Sequence, residues 1–261
     1  MRIPRVLLPV ALRTGDEHGL PAGAADHMVR VLRLSVGRSL RVFDGHGAEF
    51  EATLIEVGKR GARVALAAAV STAPPSPLRI TLAQALARGE KMDWILQKAT
   101  ELGVAAIQPL QTEHTEVRLG EERSERRMAH WRGVVVGACE QCGRADVPEL
   151  RSPLALPDWL AQMLRVPKLQ GEARVFLDPE SSIDIGSGSP ALAALVLSVG
   201  PEGGFSEREH AAFAHARFDG WRLGPRVLRT ETAGMAMLAV AQARWGDLAE
   251  SDSASRHHPP A

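Results

Sequence analysis

The chain has 261 residues, of which 45% are hydrophobic and 24% are charged, and this is enough to bury one large core or two modest ones. Its 31 basic and 31 acidic residues cancel, which excludes a general positive field, so a nucleic acid would have to meet a local patch. No apolar run approaches the roughly 20 residues that span a bilayer, and two cysteines make no disulfide framework. We therefore expect a cytoplasmic globular protein without a membrane partner.

The N-terminal segment MRIPRVLLPVALR superficially resembles a secretory signal. Its apolar stretch, residues 6–12, is short, contains Pro9, and continues into Arg13 and Asp16 instead of a small-residue cleavage site. The segment therefore predicts an edge strand of the mature protein.

Residues 1–72 have the pattern of strands and turns. Apolar and polar residues alternate in SLRVFDGHGAEFEATLIEV on both sides of the DGHG turn, and a second turn follows in VGKRGARVAL. One face would carry Phe50, Ala52 and Leu54, and the other Glu49, Glu51 and Thr53. This predicts a small antiparallel sheet or barrel. Residues 1–70 carry ten basic and seven acidic residues, a weak indication of RNA contact, because a solvated sheet face has a similar composition.

Prolines mark a stiff linker over residues 73–77, within STAPPSPL. Beyond it, LRITLAQAL predicts a buried strand, and the helical face that starts at Met92 ends at Gly103. Further strands are predicted in VAAIQPL, ARVFLD, ALVLSVG and GWRLG, with a helix over 123–142 and a last helix over 232–245. This alternation predicts an α/β domain with a mostly parallel sheet over 78–248, followed by a disordered tail over 249–261.

Cys139 and Cys142 form a C-x-x-C pair. A redox pair needs a helix N-terminus, but the helical spacing of Met128, Trp131 and Val135 places these cysteines at a helix end. Zinc would need two further ligands at matching spacing, and the sequence offers no such pair. We therefore expect a structural role and no metal.

The loop VGPEGGFSERE follows a predicted strand, where ligands bind in open parallel sheets. Ser206 and Glu209 have the spacing of a capping box, so Glu209 is expected to be structural. Glu202 is then the one ionisable side chain at the apex of the glycine turn. The loop matches neither dinucleotide nor P-loop motifs, and a carboxylate repels phosphate. It favours a ligand that is neutral or cationic there, such as S-adenosylmethionine, although a plain tight turn is the alternative.

Several ordered motifs together resemble the ribosomal small-subunit methyltransferase E family, which methylates N3 of a uridine in 16S rRNA. They are RIPR, HMVRVLRLSVG, KMDWILQKATELGV, EQCGR, LSVGPEGGFSERE and LGPRVLRTETA, and they cover most of the chain. The resemblance implies a SPOUT-type α/β fold, that is, a parallel sheet with a C-terminal trefoil knot, and a PUA-like RNA-binding barrel at the N-terminus. It also implies S-adenosylmethionine as cofactor, a homodimer, and 16S rRNA, within the small ribosomal subunit, as partner.

Carried over by position, the resemblance assigns the cofactor walls to two loops, with Leu177 in FLDPE as a third wall. The residues are Leu177, Val199, Gly200, Pro201, Gly203, Leu223, Gly224, Val227, Leu228 and Thr230. Thr232 is expected to be the N-cap of the last helix.

Methylation of uracil N3 needs a base, or donors that stabilise negative charge on O2 and O4 as the N3 proton leaves. We assign Glu202 to the first role and Arg229 to the second. The alternatives are that Glu202 orders its loop and that Arg229 binds RNA phosphate. Contact with RNA is expected from Arg5, His27, Arg30, Arg33, Lys91, Lys98 and Arg144, against the alternative that each is a solvated or cap-forming residue.

Two other functions stay open at this point. A ribose 2′-O-methyltransferase of the SPOUT class, acting on rRNA or tRNA, would keep the knot and the cofactor. A noncatalytic RNA-binding adaptor would keep the basic barrel and would not bind S-adenosylmethionine.

Overall fold

The computed structural model describes residues 3–58, 61–116, 121–183, 185 and 191–249, without the side chains of 121–123. It divides into two compact units. The N-terminal unit is Met1–Pro75 with Gly133–Val147, and the C-terminal unit is Ser76–Arg132 with Pro148–Ala261. Lys59 and Arg60 of the second predicted turn and residues 250–261 of the predicted tail lie outside the described residues.

A five-stranded sheet forms the N-terminal unit. Its strands are β1 (Arg5–Leu7), β2 (Glu17–Gly19), β3 (Ser39–Phe43), β4 (Glu49–Gly58) and β5 (Gly61–Val70), in the order β1-β3-β4-β5-β2. The edge strand predicted at the N-terminus is confirmed. The expectation of a wholly antiparallel sheet is wrong at this strand, because β1 pairs with β3 in parallel. The chain between them, through β2 and a helical segment, is long enough for the crossover that parallel pairing requires.

The core of this unit contains the apolar face predicted from the alternation. Phe50, Ala52 and Leu54 are all buried there. The opposite face is not uniformly polar and exposed, since Glu49 is buried beside Arg5.

A helical segment interrupts the strands of the N-terminal unit. Helix α1 (Ala22–Asp26) continues into a π-helical turn, His27–Val31. The prediction of strands and turns alone is therefore wrong here. Ala25 and Met28 are the buried residues of the segment, and their separation of three gives the helical spacing that the sequence analysis missed.

The C-terminal unit is built on a parallel sheet, as predicted. Its strands are β6 (Arg79–Ala85), β7 (Ala106–Gln111), β8 (Glu149–Leu150), β9 (Leu154–Ala155), β10 (Glu172–Leu177), β11 (Ala194–Val199) and β12 (Asp219–Trp221). The order is β12-β10-β11-β6-β7-β8, with β9 also pairing β7, and every pairing is parallel. The carboxyl ends of all these strands therefore lie at one edge, where ligand sites of such sheets form.

Five helices accompany these strands: α2 (Glu90–Glu101), α3 (Glu121–Cys142), α4 (Leu156–Arg165), α5 (Glu207–His215) and α6 (Thr230–Trp245). The predicted end of α2 is confirmed, because Gly103 follows the C-cap with a φ of 77°. The C-terminal part of α3 belongs to the N-terminal unit, although the sequence analysis placed it in the second domain. Helix α4, which packs Trp159 and Leu160 against Phe176 and Phe213, was missed.

The predicted start of the last helix is wrong by two residues. Its N-cap is Arg229, and Thr230 is its first residue, so Thr232 is not a cap. The Thr230 hydroxyl is engaged in hydrogen bonds inside the fold. Within the described ranges, no helix is long and apolar enough to cross a membrane.

Candidate functional site

A cavity of about 750 Å³ opens where β10, β11 and β12 end. Most of its lining comes from three segments, within residues 177–180, 199–207 and 221–230, and His210 and Ala233 of the helices complete it. All ten residues predicted to bind a cofactor are brought together there, and so are the two predicted catalytic residues. They are Leu177, Val199, Gly200, Pro201, Glu202, Gly203, Leu223, Gly224, Val227, Leu228, Arg229 and Thr230.

The glycine-rich loop after β11 has the predicted capping box. The Ser206 hydroxyl accepts from the Glu209 amide at 3.2 Å, and the Glu209 carboxylate accepts from the Ser206 amide at 2.9 Å. Glu209 is buried, and its second oxygen accepts from the Glu113 amide at 2.9 Å. Glu209 is therefore structural, and it holds the loop after β7 against the loop after β11.

A histidine that the sequence analysis missed supports the same turn. His114 lies beside Gly203, where an added Cβ would be only 3.2 Å from the Cβ of His114. The His114 Nδ1 is 3.1 Å from the Gly204 carbonyl oxygen. Gly204 itself has a φ of 70°, and its amide donates to the Pro201 carbonyl at 3.0 Å. Glycine at 203 and 204 thus permits both the close approach and the left-handed backbone.

The segment after β12 forms the opposite wall and is tied to the chain that follows β10. The Asp178 amide donates to the Trp221 carbonyl at 3.0 Å, and the Arg222 amide donates to the Ile183 carbonyl at 2.8 Å. Gly224 has a φ of 71°, in the left-handed region, and an added Cβ there would meet nothing within 4 Å. Backbone hydrogen bonds therefore hold the start of this wall against the chain that follows β10.

An ion pair sets the electrostatics of the rim. Lys91 Nζ donates to Glu202 Oε1 at 2.7 Å and lies 3.8 Å from a carboxylate oxygen of Glu231. The hydrogen bond from Lys91 lowers the pKa of Glu202 below the ordinary range of a glutamate, and the same bond raises the pKa of Lys91. The predicted RNA contact Lys91 thus binds a residue of the cavity, and its charge neutralises the predicted base.

Arg229 presents a cation to the cavity. It is exposed, and within the described part of the chain its guanidinium has no hydrogen bond or ion pair. Arg226 lines the same cavity and is also exposed. The site therefore combines apolar and backbone walls with guanidinium groups at its mouth.

Two further polar residues in the cavity were missed. Asp178 and His210 both line it, and His210 Nδ1 lies 3.8 Å from Asp178 Oδ2. Asp178 directly follows β10, so its position at a strand end in FLDPE is the signal that could have found it. His210 lies one turn inside α5 and has no such signal.

Arg5 is a correction to the predicted RNA contacts. It is buried, and its guanidinium donates to Glu49 at 2.8 and 3.2 Å, to the Cys139 carbonyl at 2.5 Å and to the Arg144 carbonyl at 3.1 Å. It also lies 4.7 Å from the centre of the Phe43 ring. A side chain so enclosed binds residues Gly133–Val147 to the sheet of the N-terminal unit and is not available to RNA.

The other predicted RNA contacts are reachable to different degrees. His27, Arg30 and Arg33 are exposed on one short segment of the N-terminal unit, with Arg30 paired to Asp26 at 3.3 Å. Lys98 is paired with Glu101 at 2.8 Å, and Arg144 is paired with Asp146 at 2.5 Å.

The C-x-x-C pair lies at a helix end, as the helical spacing predicted. Both cysteines are free, Cys139 is buried, and the pair ends α3. Burial raises the pKa of the Cys139 thiol to about 12, which keeps it protonated at neutral pH. Among the described residues, no group of three or more histidine, cysteine, aspartate or glutamate side chains could hold a metal.

Family models match both parts of the chain. An RNA methyltransferase domain matches residues 74–242, and an RNA methyltransferase PUA domain matches residues 20–66. Among curated proteins, ribosomal RNA small subunit methyltransferase E of Mycobacterium bovis is 32% identical over 93% of this chain and 90% of its own length.

Solved structures agree with these matches. A methyltransferase of Legionella pneumophila in complex with the cofactor SAM is 39% identical, with a TM-score of 0.88 over 95% of this chain and 100% of that chain. Ribosomal RNA small subunit methyltransferase E of Neisseria gonorrhoeae, bound to S-adenosyl methionine, is 35% identical. Its TM-score is 0.85 over 94% of this chain and 99% of that chain. The predicted SPOUT-type α/β class with an N-terminal PUA-like β domain is confirmed, and the chain belongs to the ribosomal RNA small subunit methyltransferase E family.

Proposed function

We propose that this protein transfers a methyl group from S-adenosylmethionine to N3 of a uridine in 16S rRNA. The observation that carries the proposal is the cavity at the ends of β10, β11 and β12, because every residue assigned to the cofactor lines it. Family membership supports the reaction class, and the uracil-N3 specificity rests on the resemblance of the loop motifs.

The residues of the cavity suit S-adenosylmethionine. Its volume of about 750 Å³ is within the range of small-molecule sites. Apolar side chains at Leu177, Val199 and Leu228 suit an adenine ring, and close glycine backbone at 200 and 203 suits recognition by peptide groups. The carboxylates of Asp178 and Glu180 complement a ligand that carries positive charge.

When bound, the cofactor supplies an electrophilic methyl group on a sulfonium. The two walls of the cavity, residues 199–203 and 223–230, contribute by fixing the reacting atoms in a near-attack arrangement. Arg229 lies at the mouth, and its guanidinium is paired with no residue that the structure describes; there it stabilises negative charge on O2 and O4 of the uracil as the N3 proton leaves.

The geometry favours the loop-ordering role of Glu202 over the role of general base. A carboxylate that accepts from an ammonium group at 2.7 Å, with a lowered pKa, is a poorer proton acceptor than a free one. Glu202 then ties the glycine loop to Lys91 at the start of α2. In this account the N3 proton passes to solvent while Arg229 holds the developing charge.

RNA is proposed to bind mainly through exposed cations. His27, Arg30 and Arg33 form the surface proposed in the N-terminal unit, and Lys91, Lys98 and Arg144 are the further candidates. Because N3 lies on the Watson–Crick edge, the uridine has to be unpaired or flipped to reach the cavity. The trefoil knot, the homodimer, action on the small ribosomal subunit and a cytoplasmic location belong to the same proposal, on the strength of the family resemblance.

The test supplies labelled S-adenosylmethionine with either unmodified small subunits or naked 16S rRNA, and then maps the product by reverse transcription. Methylation at N3 blocks base pairing, so the expected result is label incorporation with a stop at one uridine. Label incorporation without a stop, but with protection from alkaline cleavage, would instead indicate ribose 2′-O-methylation. Failure to bind the cofactor would indicate a noncatalytic RNA-binding adaptor.

A further inference from the structure

A buried polar chain joins the two walls of the cavity. Gln84, at the end of β6, is fully buried, and its Nε2 lies 3.0 Å from the Thr230 hydroxyl. The Thr230 hydroxyl lies 2.5 Å from the Gly200 carbonyl oxygen. Gly200 and Thr230 line opposite segments of the cavity, whereas Gln84 lies behind them and does not line it.

The direction of these hydrogen bonds follows from the partners. The Gln84 side-chain nitrogen also lies 3.1 Å from the Ala85 carbonyl, which only accepts, so the amide NH₂ must face both partners. Both of its donors are then used, and the Thr230 oxygen is an acceptor toward Gln84. The single hydroxyl proton of Thr230 is left to donate to the Gly200 carbonyl.

Helix α6 can approach this chain closely because of Gly234. An added Cβ at Gly234 would lie 3.4 Å from Gln84 Oε1 and 3.5 Å from the Val199 side chain. Thr230 is in the first turn of the same helix and is 5% exposed. The end of β6, the start of α6 and the last residue of β11 thus lie close together at this point.

We propose that Gln84 is a positioning residue for the cofactor site and that it acts through Thr230. By fixing the hydroxyl rotor of Thr230, it fixes the orientation of the peptide group after Gly200. The peptide at Gly200 sets the position of residues 199–203, and Thr230 anchors the end of residues 223–229. The relay Gln84–Thr230–Gly200 therefore fixes the two walls relative to each other before the cofactor binds. Because the walls are already ordered, less conformational entropy is lost on binding.

This inference rests on the proposed function, since it assigns Gln84 to the same cavity. Its test therefore begins without cofactor. Hydrogen exchange in the free protein is followed for residues 200–204 and 222–230, where the Gly204 and Arg222 amides are hydrogen-bonded. Thr230→Val and Gln84→Met break the relay with little change of volume, whereas Thr230→Ser keeps the hydroxyl.

Thr100→Val is the matched control. Thr100 is also fully buried, and its hydroxyl donates to the Leu96 carbonyl at 2.8 Å inside α2, away from the cavity. The relay predicts exchange in the two segments about tenfold faster in Thr230→Val and Gln84→Met. Thr230→Ser and Thr100→Val should leave these segments as in the wild type. Equal exchange in all variants, or the same acceleration in Thr100→Val, would overturn the proposal.

Calorimetric titration with S-adenosylmethionine follows on the same proteins. The relay predicts a dissociation constant about tenfold weaker in each breaking variant and a double variant no weaker than Thr230→Val alone, because both changes remove one connected unit. Additive losses in the double variant would contradict the relay. If the wild type binds no S-adenosylmethionine, the proposed function fails, while the hydrogen-exchange result still decides whether Gln84 positions the two walls.

Discussion

The cavity proposed for the cofactor and the set of predicted RNA contacts differ in where the fold places the residues assigned to them. All twelve residues assigned to the cavity, including Glu202 and Arg229, line one space. The predicted RNA contacts are dispersed: Arg5 is buried in the core, Lys98 and Arg144 are ion-paired, and Lys91 is bound to the cavity loop.

A site built from loop backbone is easier to predict from a sequence than a site built from long charged side chains. The cavity depends on backbone in loops that follow neighbouring parallel strands, and strand topology alone brings such loops to one edge. An arginine side chain can reach in many directions, so its role depends on the carboxylates and carbonyls that the folded chain places nearby. Variants of either group of residues can therefore break or sharpen this contrast.

The largest effect is expected for Arg5→Met. Removal of the guanidinium leaves Glu49 buried without its partner, which should lower the free energy of unfolding of the N-terminal unit by about 3–5 kcal/mol. All five tryptophans lie in the C-terminal unit. Hydrogen exchange in β3, β4 and β5 is therefore the measurement that reports on the affected unit.

The double variant Arg5→Met/Glu49→Leu is the control for this prediction. Because it removes both buried charges, it should recover much of the lost protection. Normal protection in Arg5→Met, combined with loss of RNA binding, would restore Arg5 to the RNA contacts.

Much of the fold was predictable because it follows from local pattern. The C-terminal cap of α2 at Gly103, the capping box at Ser206 and the buried face from Phe50 to Leu54 each depend on residues close in sequence. The start of α6 was not predictable in this way. Thr230 is held by hydrogen bonds to Gln84 and Gly200, which are 146 and 30 residues away in the sequence. Local pattern shows neither contact, and it favoured Thr232 as the cap instead.

Arg229→Ala tests the charge at the cavity mouth. Loss of a donor aimed at developing negative charge should lower the single-turnover methylation rate by about 10²–10³-fold while cofactor affinity stays close to that of the wild type. Arg226→Ala, which removes a second exposed guanidinium from the same cavity, is the matched control and should have a smaller effect. An unchanged rate with weaker RNA binding would assign Arg229 to phosphate instead.

Glu202→Gln should have a moderate effect on binding and little on the chemical step. The glutamine keeps a hydrogen-bonding group but removes the charge that pairs with Lys91, so we expect a several-fold weaker affinity for the cofactor. Single-turnover rates at saturating cofactor measure the chemical step separately from binding. A fall of 10²–10⁴-fold in that rate would instead make Glu202 the general base.

The Lys91–Glu202 pair also predicts the sign of a pH effect. Because the pKa of Glu202 is lowered and that of Lys91 is raised, both groups stay charged across neutral pH. The contribution of the pair to loop order is present above the ordinary glutamate pKa and is lost as the pH falls through the lowered value. Cofactor affinity, measured by calorimetric titration over a range of pH, should therefore be constant near neutral pH and weaken only in acid. In Glu202→Gln the weakening in acid should be absent.

The smallest effect is expected at the exposed cations of the N-terminal unit. Arg30→Ala and Arg33→Gly should each reduce the slope of log affinity against log salt for 16S rRNA by about 1 if each neutralises one phosphate. Glycine is the suitable replacement at 33 because Arg33 has a φ of 53°. The control Arg5→Met/Glu49→Leu should keep the wild-type slope, and wild-type slopes in the other two variants would remove Arg30 and Arg33 from the RNA surface.

The most direct test of the account is a calorimetric titration of S-adenosylmethionine into the wild type, Gly224→Ala and Gly15→Ala. Both glycines have positive φ, of 71° and 90°, and an added Cβ at either position meets nothing within 4 Å, but only Gly224 lines the cavity. We expect one saturable site in the wild type and the same affinity in Gly15→Ala. In Gly224→Ala, binding should be about three- to tenfold weaker, because backbone strain of about 1 kcal/mol displaces the cavity wall. Absence of saturable binding in the wild type, or equal affinity in all three proteins, would contradict the assignment of the cofactor to this cavity.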